Sequence, residues 1–138
     1  MSSRDLHLKQ ARPEIESVKI SNDMSSDERF QNLVLRPICK LQVPLFIEVF
    51  KNYAVKHKSV FYDLSIDKRM DYIENALQKD MKFRNALKGM VIAMFTTEEY
   101  LIYIKNSSAL NKRMMNIVKE QLIGNIQLLD NPELLTAV

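Results

Sequence analysis

The chain has 138 residues, 46% hydrophobic and 27% charged, which excludes a wholly disordered protein and fits one domain of the usual ~100–150 residues. Leu, Ile, Val and Phe total 43 residues, enough for a core, whereas 2 Gly and 4 Pro are too few for the tight turns of a sandwich or barrel and leave no glycine loop for a phosphate. The formal charge is only +3, short of the segregated excess typical of nucleic-acid binders, and the single cysteine, Cys39, excludes an intrachain disulfide and cysteine-based zinc or iron–sulfur centres.

The charge is uneven. Residues 79–119 hold 8 basic and 3 acidic side chains, and residues 120–138 hold three acidic and no basic ones. A modest basic face with an acidic tail behind it is therefore expected. The first residues, Met1-Ser-Ser-Arg-Asp-Leu-His-Leu-Lys9, lack the apolar core of a signal peptide, and the longest apolar run, Gly89 to Phe95, is far short of the ~18 residues of a membrane span. A soluble, cytoplasmic protein without membrane attachment is expected.

Residues 1–24 are polar, charge-balanced and weakly patterned (Ile15, Val18, Ile20), which predicts a loosely ordered arm or a strap across the surface. From Ser25 the pattern becomes helical. Ser25 and Glu28 have capping-box spacing, with Phe30, Leu33, Val34 and Ile38 following, and Pro37 suits the first turn of a new segment. Between Ile38 and His57, the residues Cys39, Gln42, Leu45, Phe46, Val49, Phe50 and Tyr53 share one broad face, opposite Lys40, Pro44, Glu48 and Lys51. Pro44 interrupts the backbone ladder on the polar side, so one helix kinked at Pro44 is expected.

Val60, Phe61 and Tyr62 of the following connector are expected to plug the core. Ser65 caps a helix with a narrow stripe of Ile66, Met70, Ile73 and Leu77, and Asp80 caps the next, whose main face is Phe83, Leu87, Met90, Val91 and Met94. Thr96 and Glu99 repeat the capping-box spacing ahead of a short helix over 98–105. Ser107 or Ser108 caps a last helix to about Leu129, with Leu110, Met114, Ile117, Val118, Leu122, Leu128 and Leu129 inward and Asn131-Pro132 as its stop. The predicted fold is all-α: an irregular bundle of about five helices in a single domain over 25–138, preceded by the arm at 1–24. The eight methionines are read mostly as core filler.

No catalytic set emerges. Cys39 and His57 lie 18 positions apart, or ~27 Å along a helix, too far for a nucleophilic pair. His7 and His57 have no metal-ligand spacing, and Asp67, Asp71 and Glu74 on one helix face would need ligands from a second helix to hold a cation. No metal site and no cofactor is expected. Lys79, Lys82, Arg84 and Lys88 do not project onto one stripe, whereas Lys112, Asn116 and Lys119 do, with Arg113 nearby, forming a basic strip without interleaved aromatics. Gln42, Gln121 and Asn125 lie within apolar stripes. Such amides either bond across the core or line a polar pocket, to which Tyr53 would contribute.

Three segments carry a resemblance: Leu35-Arg-Pro-Ile-Cys-Lys40 through Lys56-His-Lys58, Lys79-Asp-Met-Lys-Phe-Arg-Asn-Ala-Leu-Lys-Gly-Met90, and Asn106-Ser-Ser-Ala-Leu-Asn-Lys-Arg-Met-Met-Asn116. Over roughly residues 30–122 the chain resembles a group of short flavobacterial-type proteins of unknown function, some labelled "glyoxalase". That label implies paired βαβββ modules and a His/Glu metal set, and this chain has neither pattern. The resemblance therefore implies no site residue.

Three functional readings follow in order. The first is a non-enzymatic helical module acting by protein–protein contact, with an unknown partner or as a homodimer. The second is a small-molecule-binding bundle with a pocket between the kinked helix and the last helix at Gln42, Tyr53, Gln121 and Asn125. The third, ranked last, is weak nucleic-acid binding through Lys112, Arg113, Asn116 and Lys119.

Overall fold

Local signals in the sequence start most of the helices. In the computed structural model, which describes residues 1–15 and 20–130, Ser25, Ser65, Asp80 and Thr96 each accept the backbone N–H three residues on, opening α2 (Ser26–Phe30), α4 (Ile66–Lys79), α5 (Met81–Ile92) and α6 (Thr97–Tyr103). Thr96 and Glu99 form the full reciprocal capping box. The remaining α-helices are α1 (Ser3–Ala11), α3 (Arg36–Lys56) and α7 (Ser107–Gly124). There is no strand among the described residues, and the architecture is an all-α bundle.

Helix α2 runs through a π-helical turn, Gln31–Leu35, straight into α3, whose first turn holds Pro37. Proline has no N–H and crowds the carbonyl four residues back. The wider turn just before it, where the Arg36 N–H reaches back to the Gln31 carbonyl, accommodates that demand. α3 continues as one helix through Pro44. Its core-facing line is Ile38, Cys39, Phe46, Ile47, Phe50 and Ala54. Leu45, expected inside, is 48% exposed, because the buried stripe runs on the Phe46–Ile47 side of the helix.

The core gathers Phe46 and Phe50 of α3, Phe61 of a 3-10 turn (Val60–Asp63), Ile73 and Leu77 of α4, Phe83 and Leu87 of α5, and Leu110, Met114, Ile117, Val118 and Leu122 of α7. Phe50 is its aromatic hub, with ring centroids at 5.0 Å from Phe61 and 6.2 Å from both Tyr72 and Phe83. Ile66 and Val60, also expected inside, are both exposed, each at the start of its helical turn where the chain is still entering the bundle.

Two boundaries differ from expectation. Asn106, not Ser107 or Ser108, is the N-cap of α7, and it makes no side-chain capping bond. The helix ends at Gly124, with a 3-10 turn at Ile126–Leu129 that buries Leu129 and leaves Leu128 exposed. The Asn131-Pro132 stop lies outside the described residues.

Of the two readings of the N-terminal arm, loosely ordered or a strap across the surface, the docked segment resembles the strap. It contains α1, capped by Ser2, and α1 is docked through polar groups rather than apolar ones; its buried residue is Asp5. The reason lies at the α5–α6 junction. The last carbonyls of a helix have no partner within it. Here the Met94 N–H turns back to Val91, leaving the Met90 carbonyl to Gln42 Nε2 at 3.0 Å. Arg4 takes the Ala93 and Phe95 carbonyls at 2.9 and 3.0 Å, and Arg12 takes Met94 at 3.0 Å. Asp5 accepts the Thr97 N–H and hydroxyl at the start of α6. Cations thus meet the negative end of α5 and an anion meets the positive end of α6.

Candidate functional site

Three places gather polar or apolar groups in arrangements beyond ordinary packing. The first is the clasp just described. Arg12 forms a bidentate pair with Glu99, both side chains about nine-tenths buried, and Glu99 also accepts the Thr96 N–H at 2.8 Å. Burial pushes the Glu99 carboxyl up, but the Arg12 and Thr96 hydrogen bonds outweigh it and hold the group below its ordinary range. Asp5 is likewise held low, chiefly by the Thr97 hydroxyl. Beside the clasp, α6 presents Tyr100, Leu101 and Ile102, and its C-cap Ile104 follows, exposed by 45, 59, 47 and 50%. Tyr100 and Leu101 border a shallow groove of about 410 Å³ floored by Ile92 and Phe95.

The second place is the end of α3. The Tyr53 hydroxyl donates to Asp80 Oδ2 at 2.9 Å, and its ring is stacked between His57 and Phe83, each at 4.0 Å. Burial and the Asp80 carboxylate push the Tyr53 hydroxyl pKa up. Asp80 itself is held low by the Phe83 N–H and the Tyr53 hydroxyl. His57 Nδ1 lies 2.8 Å from the Tyr53 carbonyl, which requires the proton on Nδ1, and Nε2 lies 3.8 Å from Asp80. Tyr53, His57, Tyr72, Asn75, Lys79 and Asp80 line an open groove of about 490 Å³ between α3 and α4.

The third place is the basic strip. Lys112, Asn116 and Lys119 of α7 line a groove of about 300 Å³, joined by Arg84 of α5 and by Glu74 and Gln78 of α4 above a floor of Leu77 and Met115. Lys119 Nζ is 3.7 Å from Glu74 Oε1, which also accepts from Gln78. Arg84 donates to the Leu77 carbonyl at 3.1 Å. Arg113 points elsewhere, donating to Gln31 Oε1 at 2.8 Å.

The other residues singled out in the sequence have local partners. Gln42 bonds the Met90 carbonyl, and Asn125 caps α7 by donating to the Gln121 carbonyl at 2.8 Å. No hydrogen bond links Gln42 or Tyr53 to Gln121 or Asn125 among the described residues. Cys39 is fully buried and its thiol is pushed up to about 12, so no thiolate exists there at neutral pH. Among the described residues, no group of three or more His, Cys, Asp or Glu is placed to hold a metal ion, and no helix is long and apolar enough to cross a membrane. The α6 face and the entry of Arg84 into the basic groove went unseen in the sequence. The first carries apolar residues on more than one side of a short helix, and the second depends on how α5 docks against α7.

No protein-family model, curated protein or solved structure matches the chain.

Proposed function

We propose that this protein is a non-enzymatic cytoplasmic module that works by protein–protein contact, and that α6 carries the contact by docking on a second copy of the chain. One observation carries the reading: the seven-residue α6 and its C-cap Ile104 together present four large apolar side chains to solvent, three of them on the helix, whereas exposed apolar residues ordinarily occur scattered and singly. The charges at its ends favour a copy of itself as partner. Glu98, in the first turn of α6, and Lys105, in the turn just past its C-cap Ile104, are both exposed and have no ion-pair partner among the described residues; they lie three residues before and four residues after Leu101. A twofold axis through Leu101 sets Glu98 of each copy against Lys105 of the other, the self-complementary pattern of an isologous interface.

One short helix offers less than the ~800 Å² per partner of a standard interface, so dissociation in the micromolar range is expected. Light scattering coupled to gel filtration tests this. The expected result is a concentration-dependent dimer that Leu101→Glu turns into a folded monomer; a wild-type monomer at all concentrations up to about 0.5 mM contradicts it.

A further inference from the structure

The basic groove between α4, α5 and α7 is separate from that contact. It lies in the size range of small-molecule sites, whose lower end is ~300 Å³. Its acid–base balance is uneven. Glu74 is engaged by Gln78 and Lys119, while Arg84 and Lys112, on the α5 and α7 walls, have no carboxylate partner among the described residues. Arg84 is held by the Leu77 carbonyl, which aims its guanidinium without neutralising it. Between these cations the floor is Leu77 and Met115, both almost fully buried, with the Asn116 amide on the rim.

We propose that this groove binds a small phosphorylated organic molecule, its phosphoryl dianion held between Arg84 and Lys112 and its carbon skeleton lying on Leu77 and Met115. Two unneutralised cations match a dianion, and an arginine fork suits phosphoryl oxygens. The apolar floor gives an organic phosphate an advantage over the bare ion. A nucleic-acid backbone fits less well, because no aromatic side chain lines the groove for base stacking and Glu74 would repel a continuous polyanion.

The test is an amide NMR titration of the whole chain with phenyl phosphate and, separately, inorganic phosphate, at constant ionic strength. Saturable shifts are expected at Gln78, Arg84, Lys112, Asn116 and Lys119, with phenyl phosphate binding more tightly than phosphate. Lys112→Ala, at an exposed helix position, is expected to keep the fold and weaken binding about tenfold, the worth of one charged hydrogen bond. Glu74→Gln is expected to tighten it, and Lys68→Ala, on the exposed side of α4, to leave it unchanged. Absence of saturation by about 50 mM, or equal losses from Lys112→Ala and Lys68→Ala, overturns the proposal. So does binding of a generic RNA oligonucleotide that phenyl phosphate does not displace, which would reassign the groove to nucleic acid.

Discussion

Arg12 lies at the end of a helix whose leucines, Leu6 and Leu8, form no buried face, yet its side chain is as buried as Glu99, its partner. Removing one member of a buried pair leaves the other charge unpaired, which commonly costs ~3–5 kcal/mol. Here the cost is capped by the free energy of α1 docking, because an undocked α1 lets water reach Glu99. Arg12→Ala is therefore expected to abolish amide protection in α1 and the 93–97 turn while protection in α7 persists, as read by hydrogen exchange. Asp5, Asp80 and Glu99 all sit below their ordinary values of 3.8, 3.8 and 4.5. A depressed carboxylate adds stability above its unfolded value and loses it as pH falls through its folded value. Stability is thus expected to be flat near neutrality and to fall below about pH 4.5, with less acid sensitivity in the Asp80→Asn variant, as followed by urea melts across pH. In the core, Phe50→Ala removes the ring on which Phe61, Tyr72 and Phe83 converge and is expected to cost about 3–5 kcal/mol.

At the scale of elements, what was legible in the sequence is what is local. Ser65, Asp80 and the Thr96–Glu99 box announce their helices because a cap is an interaction over three residues, and the stripe from Leu110 to Leu122 is buried as its spacing predicts. α1 was illegible for the complementary reason. Periodicity detects apolar faces, and α1 is held by Arg4, Asp5 and Arg12 reaching backbone groups some ninety residues away. Likewise Gln42 stood out as a polar residue in an apolar stripe, but its partner, the Met90 carbonyl, becomes free only through the way α5 ends. The Lys112–Asn116–Lys119 alignment is a single-helix property and was readable; the arrival of Arg84 beside it is a tertiary one. Pro44 gives a test at this scale. It is exposed and lies inside α3, where proline forfeits a backbone bond. Pro44→Ala is expected to raise unfolding stability by about 1–3 kcal/mol in denaturant melts, since proline is ~3 kcal/mol poorer than alanine in a helix interior.

Over the whole molecule, the α1 clasp and the α6 surface are neighbours: Arg4 lines the same groove as Tyr100 and Leu101. The clasp ties down both backbone ends of the α5–α6 junction, from which α6 projects Tyr100, Leu101 and Ile102 into solvent. A rigidly presented helix loses less freedom on docking than a mobile one, which favours even a small interface. The basic groove is built from α4, α5 and α7 and shares no residue with that junction, so loss of either activity should leave the other intact. The contact of α6 with α6 is tested most directly by sedimentation velocity on four proteins at one concentration: wild type, Glu98→Lys, Lys105→Glu and the double exchange. The account predicts a dimer for the wild type, weakening in each single variant where like charges face each other, and recovery in the double variant. Equal sedimentation of all four, or a double variant no better than either single one, would contradict it.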